Sequence, residues 1–142
     1  MKIRDIMTRD VEIVSPDTAL IEAARRMREA DTGFLPVGED DRLVGTVTDR
    51  DITVRCVAEG ADPNTAKVRD AMTDELVYAF DDQDAAEAAQ IMNDHAVRRL
   101  PVLNRDKRLV GVVSLGDIAA EADDDDVVGQ TEEGIAQSPP NN

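Results

Sequence analysis

The chain has no tryptophan, one tyrosine and two phenylalanines among its 142 residues, so aromatics make up only 2% of it. Its core must therefore be packed from Val, Ile, Leu, Ala and Met, and an apolar content of 42% is enough for that. Cysteine occurs once, at Cys56, which excludes an intrachain disulfide. Histidine also occurs once, at His95, and one imidazole without cysteine ligands does not make a zinc site. His95 is then the only base of its kind for Cys56, which argues for a buried small residue rather than a nucleophile. No run approaches the ~20 apolar residues of a membrane span, and no early apolar stretch resembles a secretory signal. The expected compartment is the cytoplasm.

Positive charge is scarce. Sixteen Lys plus Arg face 31 Asp plus Glu, a net charge of −15, and only Lys2, Lys67 and Lys107 are lysines. Such a surface repels nucleic acids and anionic membranes, and neither is an expected partner. Asp outnumbers Glu by 21 to 10. An Asp-rich, Lys-poor surface suits concentrated salt, where its own repulsion is screened. A genome that writes Arg and Asp often gives the same composition, and the sequence leaves both explanations open.

What the chain does have is an internal repeat. Lys2-Ile3-Arg4-Asp5-Ile6-Met7-Thr8 recurs as Lys67-Val68-Arg69-Asp70-Ala71-Met72-Thr73, an offset of 67 − 2 = 65. The same offset pairs Asp17 with Asp82, Glu22-Ala23-Ala24 with Glu87-Ala88-Ala89, Met27 with Met92, and Leu35-Pro36-Val37 with Leu100-Pro101-Val102. After one inserted residue near Lys107, Leu43-Val44-Gly45 pairs with Leu109-Val110-Gly111.

Each copy reads β-α-β-β-α. A brief strand, Glu12–Val14 or Val77–Phe80, follows the Arg-Asp-x-Met-Thr turn. Ser15-Pro16-Asp17-Thr18 supplies turn and N-cap chemistry. Leu20, Ala23, Ala24, Met27 and Ala30 recur at spacings of three and four, an amphipathic helix, and Ala85, Ala88, Ala89 and Met92 repeat it. Strands Phe34–Val37 and Leu43–Val47 join through the charged turn Gly38-Glu39-Asp40-Asp41, and their counterparts are Leu100–Leu103 and Leu109–Val113. A second helix opens at Thr48 or Ser114, and His95 is expected at the end of the Ala85–Asp94 helix. The expected division is a first repeat over 1–59, a linker over 60–66, a second repeat over 67–122 and an acidic disordered tail over 123–142. A unit of this size buries too little apolar surface alone, so the two are expected to pair with pseudo-two-fold symmetry and form a cleft.

The candidate chemistry lies where the last strand of each copy meets its helix. Gly45-Thr46-Val47-Thr48-Asp49-Arg50-Asp51 and Gly111-Val112-Val113-Ser114-Leu115-Gly116-Asp117 share a glycine, two residues of β character, a hydroxyl and an Asp three residues later. Free N–H groups and a hydroxyl at a helix start suit a phosphate, and the Asp suits a ribose diol. Gly45 and Gly111 allow a ligand or a neighbouring backbone to approach closely. The same Thr/Ser-x-x-Asp pattern is also a capping box serving its own helix. From the residues alone, both readings stand.

The doubled pattern of Met-Thr, helix, Leu-Pro-Val and Gly-h-h-Thr/Ser-x-x-Asp resembles a tandem pair of CBS domains, a Bateman module, over residues 2 to 121. It is similar to the stand-alone two-CBS proteins, including the hypoxia-response type. The resemblance implies an α/β (α+β) fold and a regulatory, non-catalytic module without a cofactor of its own. It implies a cleft ligand of the adenosyl class, AMP, ADP, ATP or S-adenosylmethionine. It implies a homodimer and a protein partner that the sequence does not identify. By that resemblance Thr48 with Asp51, and Ser114 with Asp117, contact phosphate and ribose. Val11, Ile13, Leu35 and Pro36 in the first copy, and Val77, Ala79, Leu100 and Pro101 in the second, line the base pocket. Arg98 and Arg99 reach phosphate. The first copy carries Gly33 and Phe34 at those places, so the second site is expected to be the better phosphate site. A surface salt-bridge role for the two arginines is the plain alternative. A homodimerisation module with degenerate sites is the alternative function.

Overall fold

The computed structural model describes residues 1–121; the tail expected from residue 123 lies outside the described residues. The first repeat contains α1 (Leu20–Ala30), β1 (Phe34–Glu39), β2 (Arg42–Thr48) and α2 (Asp49–Ile52), which runs on as a π-helix over Thr53–Val57. The second contains β3 (Ala79–Phe80), α3 (Ala85–His95), β4 (Arg99–Leu103), β5 (Leu109–Ser114) and α4 (Leu115–Glu121). The two Arg-Asp-x-Met-Thr motifs form single 3-10 turns over Ile3–Asp5 and Val68–Asp70. Among the described residues no helix is long and apolar enough to cross a membrane.

The chain divides into two compact units, and the division does not follow the repeats. One unit is Glu12–Leu76. The other joins Met1–Val11 to the described residues from 77 to 121. Each unit is thus completed by the Met-Thr segment that the sequence places ahead of the other repeat.

In the Glu12–Leu76 unit β1 and β2 form an antiparallel hairpin, with Glu39 opposite Arg42. Asp40 and Asp41 close it with φ of 52° and 64°, the left-handed pair that a two-residue turn needs to follow the strand twist. The strand expected over Glu12–Val14 shrinks to one parallel bridge, Val14 with Val37. The Val14 N–H donates to Pro36 O at 3.1 Å and Gly38 N–H to Val14 O at 2.9 Å. Pro16 brings no donor to carry the ladder forward, and Pro36 has no N–H to offer the Glu12 carbonyl behind it.

Helix α1 buries Leu20, Ala23 and Met27 against Val14, Leu35, Val37, Val47, Cys56, Val68 and Ala71. Ala24 and Ala30, expected on that face, are exposed, so the buried stripe is narrower than the spacing suggested. The Ser15–Thr18 side chains close a local turn, with Asp17 N–H on Ser15 Oγ at 3.2 Å. They do not cap α1. Its first amides, Leu20 and Ile21, donate instead to the carbonyls of Ala66 and Pro63 at 2.9 and 3.0 Å.

The other unit repeats this plan. β3 lies parallel to β4, and β4 antiparallel to β5. Helix α3 buries Ala85, Ala88, Ala89 and Met92, as its spacing predicts, and ends at the exposed His95. Ile3 and Met7 of the N-terminal segment sit in this core. The Ala85 N–H donates to Met1 O at 2.8 Å, just as Leu20 does to Ala66, 65 residues earlier. Lys2 bridges Asp84 as Lys67 bridges Ala19, and Thr8 bridges Val112 as Thr73 bridges Thr46.

Gly45 and Gly111 are explained by these bridges. A Cβ on Gly45 would lie 2.5 Å from the Thr73 carbonyl oxygen, and one on Gly111 would lie 2.6 Å from that of Thr8. The backbone that approaches these glycines is the Met-Thr segment. Gly45→Ala and Gly111→Ala are each expected to lower stability by about 1–3 kcal/mol through overpacking. Gly116→Ala, where the nearest atom is Ser114 Oγ at 3.6 Å, is expected to be neutral or slightly stabilising. Urea midpoints of the three variants check this, and equal midpoints for Gly111→Ala and Gly116→Ala would refute it.

Candidate ligand site

β2 ends on Thr48, which is only 6% exposed, and the chain turns at once into α2. Thr48 Oγ1 accepts from the Asp51 N–H at 3.1 Å, and Asp51 Oδ2 accepts from the Thr48 N–H at 3.0 Å. The second copy matches it. Ser114 Oγ accepts from the Asp117 N–H at 3.0 Å, and Asp117 Oδ2 accepts from the Ser114 N–H at 2.9 Å. Both motifs are therefore reciprocal capping boxes. The cap uses one oxygen of each carboxylate. A carboxylate offers two oxygens and about four acceptor directions, so capping and ligand binding are compatible in the same residue.

The neighbouring strand fixes what stands beside each cap. Arg99 lies opposite Ser114 in the ladder, and the Leu115 N–H donates to the Arg98 carbonyl at 2.8 Å. The fold thus gathers Arg98, Arg99, Ser114 and Asp117 at one strand-to-helix junction. Arg98 is exposed and Arg99 half-buried. In the first copy Phe34 lies opposite Thr48, and the Asp49 N–H donates to the Gly33 carbonyl at 2.9 Å. The two alongside positions there carry no cation, and the one arginine of that junction, Arg50, stands between Asp49 and Asp51 on α2.

The residues expected to line a base pocket do not share one setting. Leu35, Ala79 and Leu100 are at most 1% exposed and belong to the cores of their own units. Pro36 and Pro101, one position along their strands, are buried on the other face; Ile13 and Val77 are half-buried. Ala79 pairs with Val102 and Val14 with Val37, so Val14 is the counterpart of Ala79. Ile13 is one residue out of that register, and a slip of one residue reverses the face a side chain takes. Val11 is the last residue of the segment assigned to the other unit.

Cys56 is 1% exposed and its thiol lies 3.6 Å from the Ala61 carbonyl. Among the described residues no group of three or more His, Cys, Asp or Glu is gathered as a metal site.

Two ion pairs were not expected from the sequence, although the offset of 65 that aligns Asp17 with Asp82 was a signal for them. Arg69, from the Met-Thr segment, pairs with Asp17, and Arg105 pairs with Asp82 at 2.8 Å. Arg105 also lies 4.1 Å over the Phe80 ring. Hydrogen bonding to each guanidinium holds both carboxyls below their ordinary pKa.

The fold and the two capped junctions define a tandem α/β repeat protein. The chain belongs to the CBS family: the CBS domain model matches residues 3–57 and 68–124. It is 44% identical over 117 residues to Hypoxic response protein 1 of Mycobacterium tuberculosis, covering 82% of this chain and 81% of that protein. The crystal structure of Hypoxic Response Protein I, which holds two coordinated zinc ions, matches with a TM-score of 0.79 at 42% identity. That match covers 85% of this chain and 98% of the other. The crystal structure of CBSX2 in complex with AMP matches with a TM-score of 0.74 at 28% identity, over 85% and 95% of the two chains.

A group whose folded pKa is lowered adds stability at neutral pH and loses that share as pH falls through its titration. Acidification from about pH 5 to pH 3 should therefore cost the wild type stability that Asp17→Asn does not lose. The difference should shrink in salt, because Asp17 and Arg69 are exposed. Parallel pH profiles for the two proteins in low salt would contradict this.

Proposed function

We propose that the chain is a regulatory, non-catalytic module of the cytoplasm. It senses an adenosyl compound, AMP ahead of ADP, ATP and S-adenosylmethionine, and passes its state to a protein partner. The observation that carries the reading is the convergence of Arg98, Arg99, Ser114 and Asp117 at the α4 junction. Two cations, a hydroxyl and a carboxylate match the phosphate and the ribose diol of one nucleotide. The AMP in the related CBSX2 structure supports the choice of ligand class. The matched junction at Thr48 and Asp51 has Gly33 and Phe34 in place of the arginines, which favours an uncharged nucleoside there. The buried thiol of Cys56 supports a binding role over a catalytic one. No cofactor is assigned to it.

A second reading, a homodimerisation module with degenerate sites, is favoured by one observation. Val54 and Val57, three residues apart on the π-helix, are 47% and 63% exposed, an apolar pair that a second copy could cover. Both readings allow a homodimer, and only the first requires ligand binding.

Titration calorimetry with AMP separates them. Asp51→Ala and Asp117→Ala each remove the reciprocal half of a capping box and leave the Thr48 or Ser114 N–H without its acceptor, so both should lose about 1 kcal/mol of ligand-free stability. Their binding should differ: Asp117→Ala abolishes AMP binding and Asp51→Ala weakens it less. In the wild type, AMP at ~100 times its dissociation constant adds ~2.7 kcal/mol of stability. The reverse ranking refutes the assignment of the phosphate site, and no binding by the wild type leaves the dimerisation module.

A further inference from the structure

The motif helix of the first repeat has a second attachment. Arg55 lies on the π-helix that continues α2. Its Nη1 donates to the carbonyls of Ala71 and Met72 at 3.0 Å each and reaches Thr73 Oγ1 at 3.4 Å. These residues end the Met-Thr segment that completes the Glu12–Leu76 unit. Thr73 is also paired with Thr46, through N–H to carbonyl bonds of 2.8 and 2.9 Å, two residues before Thr48. Beyond Thr73 only residues 74–76 remain before the chain enters the other unit at Val77. The segment is therefore pinned at its outgoing end by the strand and by the helix that the Thr48–Asp51 box joins.

The second repeat cannot copy this. At the offset of 66 that aligns Gly45 with Gly111, Arg55 aligns with Glu121. A carboxylate only accepts and has nothing to give a carbonyl. A guanidinium is a rigid, permanently charged fork of donors, suited to holding adjacent carbonyls together.

We infer that Arg55 is a positioning residue that latches the Thr48–Asp51 helix to Ala71–Thr73, so that a nucleoside bound at Thr48 and Asp51 also tightens the stretch of chain leading into the other unit. The nucleoside half of this inference rests on the adenosyl reading above; the latch does not. A ligand shifts such an equilibrium only if it favours the latched state, and the shift is then read as slower opening at Thr73.

Amide hydrogen exchange on the full chain tests both halves, with adenosine as the probe for the first motif. Without ligand, Arg55→Ala should speed exchange at Thr46 and Thr73 about tenfold. It should leave Thr8 and Val112, the matching pair of the other unit, at wild-type rates. Arg55→Lys keeps charge and donors on a flexible stem and should fall between. Unchanged exchange at Thr46 and Thr73, or equal acceleration at all four amides, overturns the latch. With adenosine, exchange at Thr73 should slow in the wild type and not in Arg55→Ala. Equal slowing in both, or slowing at Asp51 without slowing at Thr73 in the wild type, overturns the coupling; no change at either amide overturns the nucleoside reading of the first motif and the coupling with it. The AMP reading of the second motif is judged separately by the response of Asp117.

Discussion

The carbonyl oxygen of one threonine lying against one glycine is the contact on which the rest of the structure depends. Thr73 O covers Gly45 and Thr8 O covers Gly111, with no room for a Cβ at either place. That approach lets the Met-Thr segment pair with the strand leading to the hydroxyl–Asp junction. The same segment carries Ile3 and Met7, or Val68 and Ala71, into the core of the unit it joins. Its preceding residue supplies the carbonyl that satisfies the first amide of the unit's long helix. Core packing, helix capping and the setting of the candidate site thus share one strip of backbone.

Much of this was legible in the sequence, and the failures are instructive. The offset of 65 located both copies, and the three-four spacing of Ala85, Ala88, Ala89 and Met92 marked a truly buried face. The destination of the Met-Thr segments was not legible. Lys2–Thr8 and Lys67–Thr73 are near copies, so either segment satisfies the pattern of either unit, and only the folded chain shows which goes where. The α1 cap was missed for a related reason. Ser15 and Thr18 have capping chemistry, but the acceptors are the carbonyls of Pro63 and Ala66, and a backbone oxygen leaves no trace in residue type. The strand at Glu12–Val14 had β character yet lost its ladder to Pro16 and Pro36, neither of which has an N–H to give.

At the candidate site the sequence posed a choice between cap and ligand contact. The hydrogen bonds establish the cap in both copies. On the proposed reading the cap also serves binding, because it fixes the hydroxyl and the carboxylate at the junction before any ligand arrives, which lowers the entropic cost of binding. What distinguishes the copies is the strand alongside. Arg98 and Arg99 bring positive charge to one junction in a chain of net charge −15, where Gly33 and Phe34 leave the other, with Asp49, Arg50 and Asp51, net acidic. In a molecule that repels anions overall, such a local reversal of charge is the feature with the strongest functional meaning.

The central claim, that the second junction is the nucleotide phosphate site, is tested most directly by following backbone amides in an NMR titration of the full chain with AMP. The account predicts that Ser114, Leu115 and Asp117 shift together and saturate first, with Thr48, Asp49 and Asp51 lagging. A response that begins at Thr48–Asp51, or none at any of the six, would contradict it.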